Sequence, residues 1–365
     1  MSNSIKLIAG GDLCPADHYF TIGHGYANTA RVEKALCTLM PIFKISDLAI
    51  VNLESPLSQY SQAKSVVGKK IFRGDPDTAL AIKSSGISHL HVANNHILQH
   101  GTKAFYDSIN ALKNVGIQPI GYSEPKRTIT PVLFSANGLE LSIVGVSFVS
   151  DAFMSNESMY DAPKAVELIE FVKQTSRKVD HVIISIHWGS EGPDIPSSFE
   201  VILGRKLIDA GASVILGHHS HIVRPVERRG NGLIFYSFGN LMFDLEWYYP
   251  YSIGMLAEIT LGRKESCPTW KPYFFQCKKG MIRLLSKDKS DNIFNKLSMK
   301  ADWLINTNIE GIDEAHDLSL RHLNRALNFN KLLYFICMLP YGNTMDKLSF
   351  IANKISNRIT ALYNT

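Results

Sequence analysis

The stretch Ala212-Ser-Val-Ile-Leu-Gly-His-His-Ser-His221 places three imidazoles directly after a short apolar run. A run of this length predicts a buried strand, and the histidines then fall at its carboxyl end. Imidazole is the commonest metal-binding side chain near neutral pH, and α/β proteins bind ligands beyond the carboxyl ends of their strands. The stretch therefore predicts an α/β fold with a metal site at one sheet edge.

Four other apolar runs lead into polar side chains in the same way. The residues that follow them are Asp12 after 5–9, Glu54 after 47–51, Asn95 and His96 after 87–92, and His187 after 182–186. Because each occupies the same position relative to its strand, we expect these distant segments to meet at one rim and to bind cations together.

Strand-like and helical patterns alternate along the chain to about residue 216, after which strands dominate. The predicted strands are 5–10, 47–51, 87–92, 117–120, 129–134, 140–146, 181–186, 213–216, 222–227, 232–237, 253–261 and 270–277. The predicted helices are 29–43, 76–85, 101–115, 162–176, 198–210, 290–305, 311–328 and 343–361.

This element order predicts two packed sheets with helices outside. The early strand–helix–strand units indicate a largely parallel sheet. The late strands are expected to form a second, more antiparallel sheet against it. We expect one domain over residues 1–280 and a helical C-terminal extension over residues 281–365.

Composition is that of a globular protein, with 365 residues, 45% hydrophobic and 19% charged. The net charge of +5 is uneven, because residues 263–365 carry 16 Lys and Arg against 9 Asp and Glu. This basic tail could contact an anionic polymer or a membrane surface, although a solvated helical face is the favoured explanation. Nucleic-acid binding is not expected, since the excess is modest and no recognition module is present.

The five cysteines, at positions 14, 37, 267, 277 and 337, include no Cys-x-x-Cys pair. An odd, scattered set suits a reducing compartment. No signal peptide or lipidation motif precedes the first strand, and the apolar stretch 332–339 is far shorter than a transmembrane helix requires. We therefore expect a cytoplasmic protein without a transmembrane segment.

The chemistry of the candidate ligands favours transition metals. Asp12 and Glu54 offer anionic oxygens, Asn95 an amide oxygen, and His187, His219 and His221 nitrogens. Such a mixed set suits Mn, Zn or Fe better than Ca. It is large enough for two divalent ions that share one carboxylate, an arrangement that makes hydroxide available near neutral pH. His96 could act as a general acid or stabilise an oxyanion.

Each of these residues also has a structural interpretation. Asp12 could close a turn, Asn95 could cap the helix that begins near residue 101, and His187 could be a buried histidine with a protein partner. Glu54 could be a solvated loop carboxylate. The shared position of all five segments favours the metal site over these alternatives.

The ordered motifs resemble those of the CapA family, the capsule and poly-γ-glutamate synthesis proteins of the calcineurin-like metallophosphoesterase superfamily. They cover residues 5 to about 262, about 70% of the chain. The matching segments are Gly11-Asp12, Asp47-Leu-Ala-Ile-Val-Asn-Leu-Glu-Ser-Pro56, Ala93-Asn-Asn-His96, Ser185-Ile-His-Trp-Gly-Ser-Glu191, Gly217-His-His-Ser-His221 and Tyr236-Ser-Phe-Gly-Asn-Leu-Met-Phe-Asp244. The resemblance implies a four-layer αββα sandwich, the calcineurin-like metallophosphatase fold, with a dinuclear metal site.

The resemblance also implies roles for individual residues. Asp12 and His221 would bind the first ion, Asn95, His187 and His219 the second, and Glu54 would bridge them. His96, together with Asp12, would be catalytic. Substrate would contact Arg73, a candidate bidentate ligand for carboxylate or phosphate, and Asn240 and Asp244 on the loop beside the cleft.

Two positions depart from the family pattern. Cys14 stands where the superfamily has a histidine, and a small buried cysteine is favoured there over a thiolate ligand. Gln99 stands where the family usually has an aspartate, so a charge that could orient His96 is missing.

Three functions remain open at this stage. The first is a metal-dependent hydrolase of a phosphoester or amide bond that acts in capsule, surface-polymer or peptide biosynthesis. The second is proton transfer at an amino-acid α-carbon, as in a peptide epimerase. The third is a non-catalytic role in biosynthesis, in which the C-terminal helices would bind an enzyme partner. The substrate in the first case is expected to be an anionic polymer, a peptide or a phosphoester.

Overall fold

The computed structural model describes residues 3–16, 29–61, 72–122, 129–150, 159–243, 245, 248–264, 266–278 and 280–338. The strands in these ranges are β1 Ile5–Leu13, β2 Leu48–Leu53, β3 His89–His91, β4 Gln118–Ile120, β5 Val132–Ala136, β6 Leu139–Ser147, β7 His181–His187, β8 Val214–His218, β9 Val226–Arg229, β10 Gly232–Phe235, β11 Asn240–Met242, β12 Ile253–Leu261, β13 Thr269–Lys278 and β14 Met281–Leu284.

The helices in the same ranges are α1 Thr29–Cys37, α2 Met40–Phe43, α3 Thr78–Ser84, α4 Gly101–Asn114, α5 Ala165–Thr175, α6 Ser198–Asp209, α7 Lys287–Asn306 and α8 Ile309–Met338. A short 3-10 helix, Tyr249–Ser252, precedes β12. The predicted single helix over 29–43 is interrupted between Cys37 and Met40. Pro41 lies in the first turn of α2, where its missing N–H removes no helical hydrogen bond. The predicted helix 343–361 lies outside the described residues.

The strands form two mixed sheets. The first has the order β14-β13-β12-β1-β2-β3-β4, with β11 paired to β1, and the second has the order β5-β6-β7-β8-β10-β9. The neighbouring strands β1 to β4 are mutually parallel, and so are β6, β7, β8 and β10.

The predicted second sheet built from the late strands is only partly right, because β9 and β10 belong to the second sheet whereas β12, β13 and β14 belong to the first. β12 pairs antiparallel with β1, and β13 and β14 extend the same edge of the first sheet. The rest of the second sheet comes from the middle of the chain. Local sequence patterns identify strands, whereas the order in which strands pair depends on contacts between distant segments.

Three apolar layers hold the sandwich together. Alternate residues of β1 point to opposite faces, so that Leu7 packs between the two sheets and Ile8 packs beneath the helices outside the first sheet. A third cluster joins the second sheet to α5 and α6 and includes Leu304 and Ile312 from the C-terminal helices. The order is therefore helices, sheet, sheet and helices, which confirms the predicted αββα sandwich.

The C-terminal helices are present, and the division of the chain into domains at residue 280 stays a prediction. β14 follows that point and pairs with β13, so the helical extension begins at Lys287. Among the helices in the described ranges, none combines the length and apolar composition that crossing a lipid bilayer requires.

Candidate metal centre

The five sequence segments singled out above meet at one edge of the sandwich. Asp12 ends β1 and Glu54 follows β2, which lies beside β1 in the first sheet. His187 ends β7, and the histidine loop follows β8, which lies beside β7 in the second sheet. Parallel neighbours bring their carboxyl ends to the same edge, so both sheets deliver polar side chains to the same place.

Two groups of side chains within this cluster have metal-binding geometry. One consists of Asp12, Glu54 and His221, and the other of Glu54, His187 and His219. Within each group the ligand atoms lie within 4.8 Å of one another, and all the residues are buried. Glu54 belongs to both groups, so the two groups share one carboxylate. We call the first group the carboxylate side and the second, with Asn95, the imidazole side.

Asp12 is surrounded by hydrogen-bond donors. Its Oδ1 accepts from Asn52 Nδ2 at 2.9 Å, and its Oδ2 accepts from the His219 backbone N–H at 3.2 Å. His218 Nδ1 and His221 Nδ1 each lie 3.4 Å from one of its oxygens. Burial alone would raise the pKa of this carboxyl, but the two histidines outweigh burial and hold the pKa well below its usual range.

Glu54 has the opposite electrostatic environment. Burial raises the pKa of its carboxyl well above the usual value, and the negative charges of Asp12 and Glu191 raise it further. Its Oε2 accepts from Asn52 Nδ2 at 3.4 Å, whereas its Oε1 is fully buried and has no hydrogen-bond partner among the residues that the structure describes. An unpaired buried carboxylate oxygen is costly, and a cation between the two groups would remove that cost.

The imidazole side is assembled around His187. Its Nε2 lies 2.9 Å from Asn95 Oδ1 and 3.7 Å from Glu54 Oε1. The His187 and His219 ring centroids are 4.7 Å apart. In the described part of the chain, the buried His219 Nδ1 has no hydrogen-bond partner. Burial lowers the pKa of His187 well below its usual value and that of His219 to about 4. Both rings are therefore neutral near pH 7, the form in which imidazole binds metals.

His221 belongs to the carboxylate side and is oriented by Asn240. Its Nδ1 lies 2.9 Å from Asn240 Oδ1, while its Nε2 faces Glu54 Oε1 at 3.8 Å. Burial alone would lower the pKa of His221, but the hydrogen bond to Asp12 and the charge of Asp12 raise it above the usual value.

Asn240 was predicted to contact substrate, but both ends of its carboxamide have protein partners. Its Nδ2 donates to Tyr251 O at 2.9 Å, and the side chain is buried. These contacts place it behind His221, where it holds the ring, and its role in substrate binding stays a prediction.

The backbone at the histidine loop is unusual. His219 and His221 have φ values of 93° and 60°, the left-handed region that non-glycine residues seldom adopt. Such strained conformations are kept where many surrounding contacts hold the backbone in place, as at binding sites. Gly11 allows the backbone of β1 to lie very close to that of Gly239, because a Cβ at position 11 would lie 1.8 Å from Gly239 O. It lets β11, which carries Asn240, lie against the end of β1.

Asn52 connects several of these side chains, and no role was predicted for it from the sequence. Besides donating to Asp12 and Glu54, its Nδ2 lies 3.5 Å from His187 Nδ1, and its Oδ1 accepts from Asn94 Nδ2 at 3.1 Å. Its only sequence signal is its position in the motif two residues before Glu54. An amide inside an apolar strand, next to a strand-end carboxylate, is the pattern that could have identified it.

Behind Asp12 a buried polar chain crosses between the sheets. Ser185 Oγ lies 3.0 Å from both His91 Nδ1 and His218 Nε2. His218, the first histidine of the sequence trio, therefore lies behind Asp12 and supports it, while His219 and His221 face the metal groups.

His96 lies at the mouth of the site. Its Nε2 is 3.7 Å from Glu54 Oε1, and its ring contacts the edge of Phe72 with centroids 4.9 Å apart. Burial lowers the pKa of His96 to about 3. Gln99 Nε2 contacts His96 Nδ1, so the position that lacks the expected aspartate still contacts this ring.

The remaining predicted residues lie around this centre. Cys14 is buried in an apolar cluster with Phe72 and Phe243 and belongs to neither metal-binding group of the described residues. Arg73 is partly exposed, and its Nη1 donates to Gln59 O at 3.0 Å. Asp244 lies outside the described residues.

The C-terminal helices brace the loop that follows β7. His316 Nδ1 lies 2.8 Å from Ile195 O, and Ser319 Oγ donates to Asp194 Oδ1 at 2.7 Å. In turn, the Gly192 N–H donates to Ser220 O at 2.8 Å, inside the histidine loop. The extension is thus linked to the site through one intervening loop.

Comparison with known families assigns the chain to one of them. The family described as bacterial capsule synthesis protein PGA_cap matches residues 6–245, a range that includes every side chain of the two metal-binding groups. The chain belongs to this family. The resemblance to CapA proteins drawn from the motifs is thereby confirmed.

Proteins with curated names that are similar to this chain come from three bacteria. The capsule biosynthesis protein CapA of Bacillus anthracis is 29% identical over 222 residues, which cover 57% of this chain and 53% of that protein. The PGA biosynthesis protein CapA of Bacillus subtilis (strain 168) is 29% identical, covering 57% and 56%. A probable polyglutamine synthesis accessory protein of Mycobacterium tuberculosis is 27% identical, covering 55% and 57%. The chain spans about half the length of these relatives.

Similar solved structures include two nucleotidases. A putative 5′-nucleotidase from Staphylococcus aureus has a TM-score of 0.44 at 12% identity, covering 82% of this chain and 58% of that one. The 5′-nucleotidase from Candida albicans has a TM-score of 0.43 at 12% identity, covering 91% and 58%.

Proposed function

We propose that this protein is a metal-dependent hydrolase that cleaves a phosphoester or an amide bond in the synthesis of a capsule-type polymer. The observation that carries the proposal is Glu54, a buried carboxylate shared by two ligand groups, with one oxygen left without a hydrogen bond. The names of the curated relatives refer to capsule biosynthesis, PGA biosynthesis and polyglutamine synthesis, and they support an anionic polymer or a peptide as the substrate.

The donor set suits two divalent ions of Mn, Zn or Fe. Asp12, Glu54 and His221 would hold one ion, and Glu54, Asn95, His187 and His219 the other. The fit rests on the unpaired Glu54 Oε1 and His219 Nδ1 and on the mixture of oxygen and nitrogen donors. When bound, such ions polarise the bond to be cleaved and make water acidic enough to attack it near neutral pH.

The chain's own residues supply orientation around this centre. Asn52 and His218 fix the Asp12 carboxylate, and Asn240 fixes the His221 ring, so the ligands are held in place before binding. His96 stands beside Glu54 at the mouth, within reach of an oxygen that gains negative charge as the bond breaks. Arg73, near His96 through its neighbour Phe72, is the proposed contact for an anionic group of the substrate.

A cleavage screen tests this function. The full chain, stripped of metal and reloaded separately with Mn, Zn or Fe, is incubated with phosphoesters and γ-linked glutamyl peptides. We expect cleavage by the reloaded protein, none by the stripped protein, and none by His187→Ala. His322→Ala, which replaces an exposed histidine of α8, is the matched control and should retain full activity.

The same samples discriminate the other functions. Exchange of α-hydrogen with solvent deuterium in the peptides, without cleavage, would support proton transfer at the α-carbon and contradict the hydrolase. Absence of both reactions in protein that retains its metal would favour a non-catalytic role in biosynthesis. Binding of an enzyme partner through the C-terminal helices, and a cytoplasmic location, stay predictions.

A further inference from the structure

Gln99 has a fixed orientation because its two ends meet different partners. Its Oε1 accepts from the Phe72 backbone N–H at 2.5 Å, and its Nε2 contacts His96 Nδ1. A flipped carboxamide would set an NH₂ group against the Phe72 N–H, two donors facing each other. The backbone of Phe72 therefore decides which end of Gln99 faces His96.

This orientation determines which ring nitrogen of His96 carries the proton. The NH₂ group of Gln99 can only donate, so Nδ1 of His96 must accept with its lone pair. In a neutral imidazole, one nitrogen accepts and the other carries the hydrogen. The hydrogen is then on Nε2, the nitrogen that faces the metal groups.

The surroundings of Nε2 agree with this assignment. Glu54 Oε1, which lacks a hydrogen-bond partner, lies 3.7 Å from it. Asn95 Nδ2 lies 3.4 Å away and is a competing donor. The contact between Asn95 Oδ1 and His187 Nε2, at 2.9 Å, sets the orientation of the Asn95 carboxamide. The NH₂ group of Asn95 therefore stays next to His96. A neutral ring satisfies only one of the two flanking donors, and Gln99 makes the closer contact.

We propose that Gln99 is a positioning residue that fixes His96 with its proton on Nε2. His96 then meets substrate as a hydrogen-bond donor to a phosphoryl or carbonyl oxygen that gains negative charge, and it does not accept a proton from the attacking group. This role deepens the proposed function and rests on it, whereas the position of the proton can be measured in the protein alone.

The test is the tautomer of His96, read by long-range hydrogen–nitrogen correlation NMR on the full chain labelled with ¹⁵N-histidine. Spectra are taken at alkaline pH, where imidazole is neutral, on metal-free and zinc-loaded protein. His96→Gln identifies the ring signals by their loss. We expect a protonated Nε2 and an unprotonated Nδ1 in both wild-type samples.

Gln99→Glu is the sharpest variant because it preserves size and the acceptor for Phe72. Its carboxylate accepts from Nδ1, so the protonated nitrogen should switch from Nε2 to Nδ1. A protonated Nδ1 in the wild type, or the same tautomer in both proteins, would overturn the proposal. If the variant fails to fold, the wild-type spectrum alone decides. A protein that binds no metal but shows the expected tautomer would contradict the proposed function and leave the role of Gln99 standing.

Discussion

The two sides of the candidate metal centre share Glu54 but are prepared in different ways. On the carboxylate side, polar partners hold Asp12 and His221, and hydrogen bonds and charge set their pKa values against the effect of burial. On the imidazole side, burial dominates and keeps His187 and His219 uncharged. The comparison teaches that one centre can combine a histidine that must release a proton when metal binds with histidines that are already uncharged.

The two sides also differ in the number of side chains that they offer as metal ligands. The imidazole side offers four, with the Asn95 amide oxygen 2.9 Å from His187 Nε2. The carboxylate side offers three from its identified group, and Cys14, at the position of the family histidine, packs among apolar side chains instead. We therefore expect tighter binding on the imidazole side, and the following experiments challenge that difference.

The largest effect is expected from Glu54→Gln, because this carboxylate belongs to both sides. The amide keeps the shape but removes the bridging charge, so both ions should bind more weakly. The loss on each side should exceed the roughly 10- to 100-fold that changes in outer-shell partners cause. Calorimetric titration of zinc into stripped protein measures it. Weakening on one side alone would show that Glu54 does not bridge.

A smaller and one-sided effect is expected from Asn240→Ala. It removes the acceptor 2.9 Å from His221 Nδ1, so the ring loses its orientation while His187 and His219 keep theirs. Affinity on the carboxylate side should fall about 10- to 100-fold, with the imidazole side unchanged. Asn306→Ala, a change at an exposed helix position, serves as the control in the same titration. Equal losses on both sides would contradict the division.

The smallest effect is expected from pH, because the metal affinity of the carboxylate side should depend on pH more steeply than that of the imidazole side. The pKa of His221 is raised, so below that pKa a proton must leave before metal binds, and affinity should fall by about tenfold per pH unit. The pKa of His219 is lowered to about 4, so its nitrogen carries no competing proton near neutrality. Glu54, whose pKa is raised, affects both sides equally. Titrations from pH about 8 to about 6 should show one affinity falling faster than the other, and parallel curves would contradict this.

The sequence predicted the convergence of the ligands because every motif follows an apolar run. The carboxyl ends of parallel strands share an edge, so Asp12, Glu54 and His187 could be placed together without coordinates. The αββα layering followed from the element order and the family resemblance. Sheet membership of β12–β14 did not, because an antiparallel return to β1 from residue 253 leaves no local signal.

The supporting residues were harder to assign from the sequence, because their partners lie far away along the chain. Asn52 looks like a single polar interruption in a strand, and its contacts with Asp12 and Glu54 exist only after β1 and β2 pair. Asn240 was placed near the site, but its role behind His221 depends on the close approach of β11 at Gly11. Gln99 was noted as a missing charge, whereas its orientation depends on the backbone of Phe72, 27 residues earlier.

The most direct test of the two-sided centre is the metal content of purified protein by mass spectrometry, measured with thermal unfolding to verify folding. The wild type should hold two divalent ions per chain. His219→Ala and His221→Ala should each fold and retain one, and the ion retained by His221→Ala should be the harder to remove with a chelator. An unchanged metal content in folded His219→Ala would contradict the ligand assignment on which the proposed function rests.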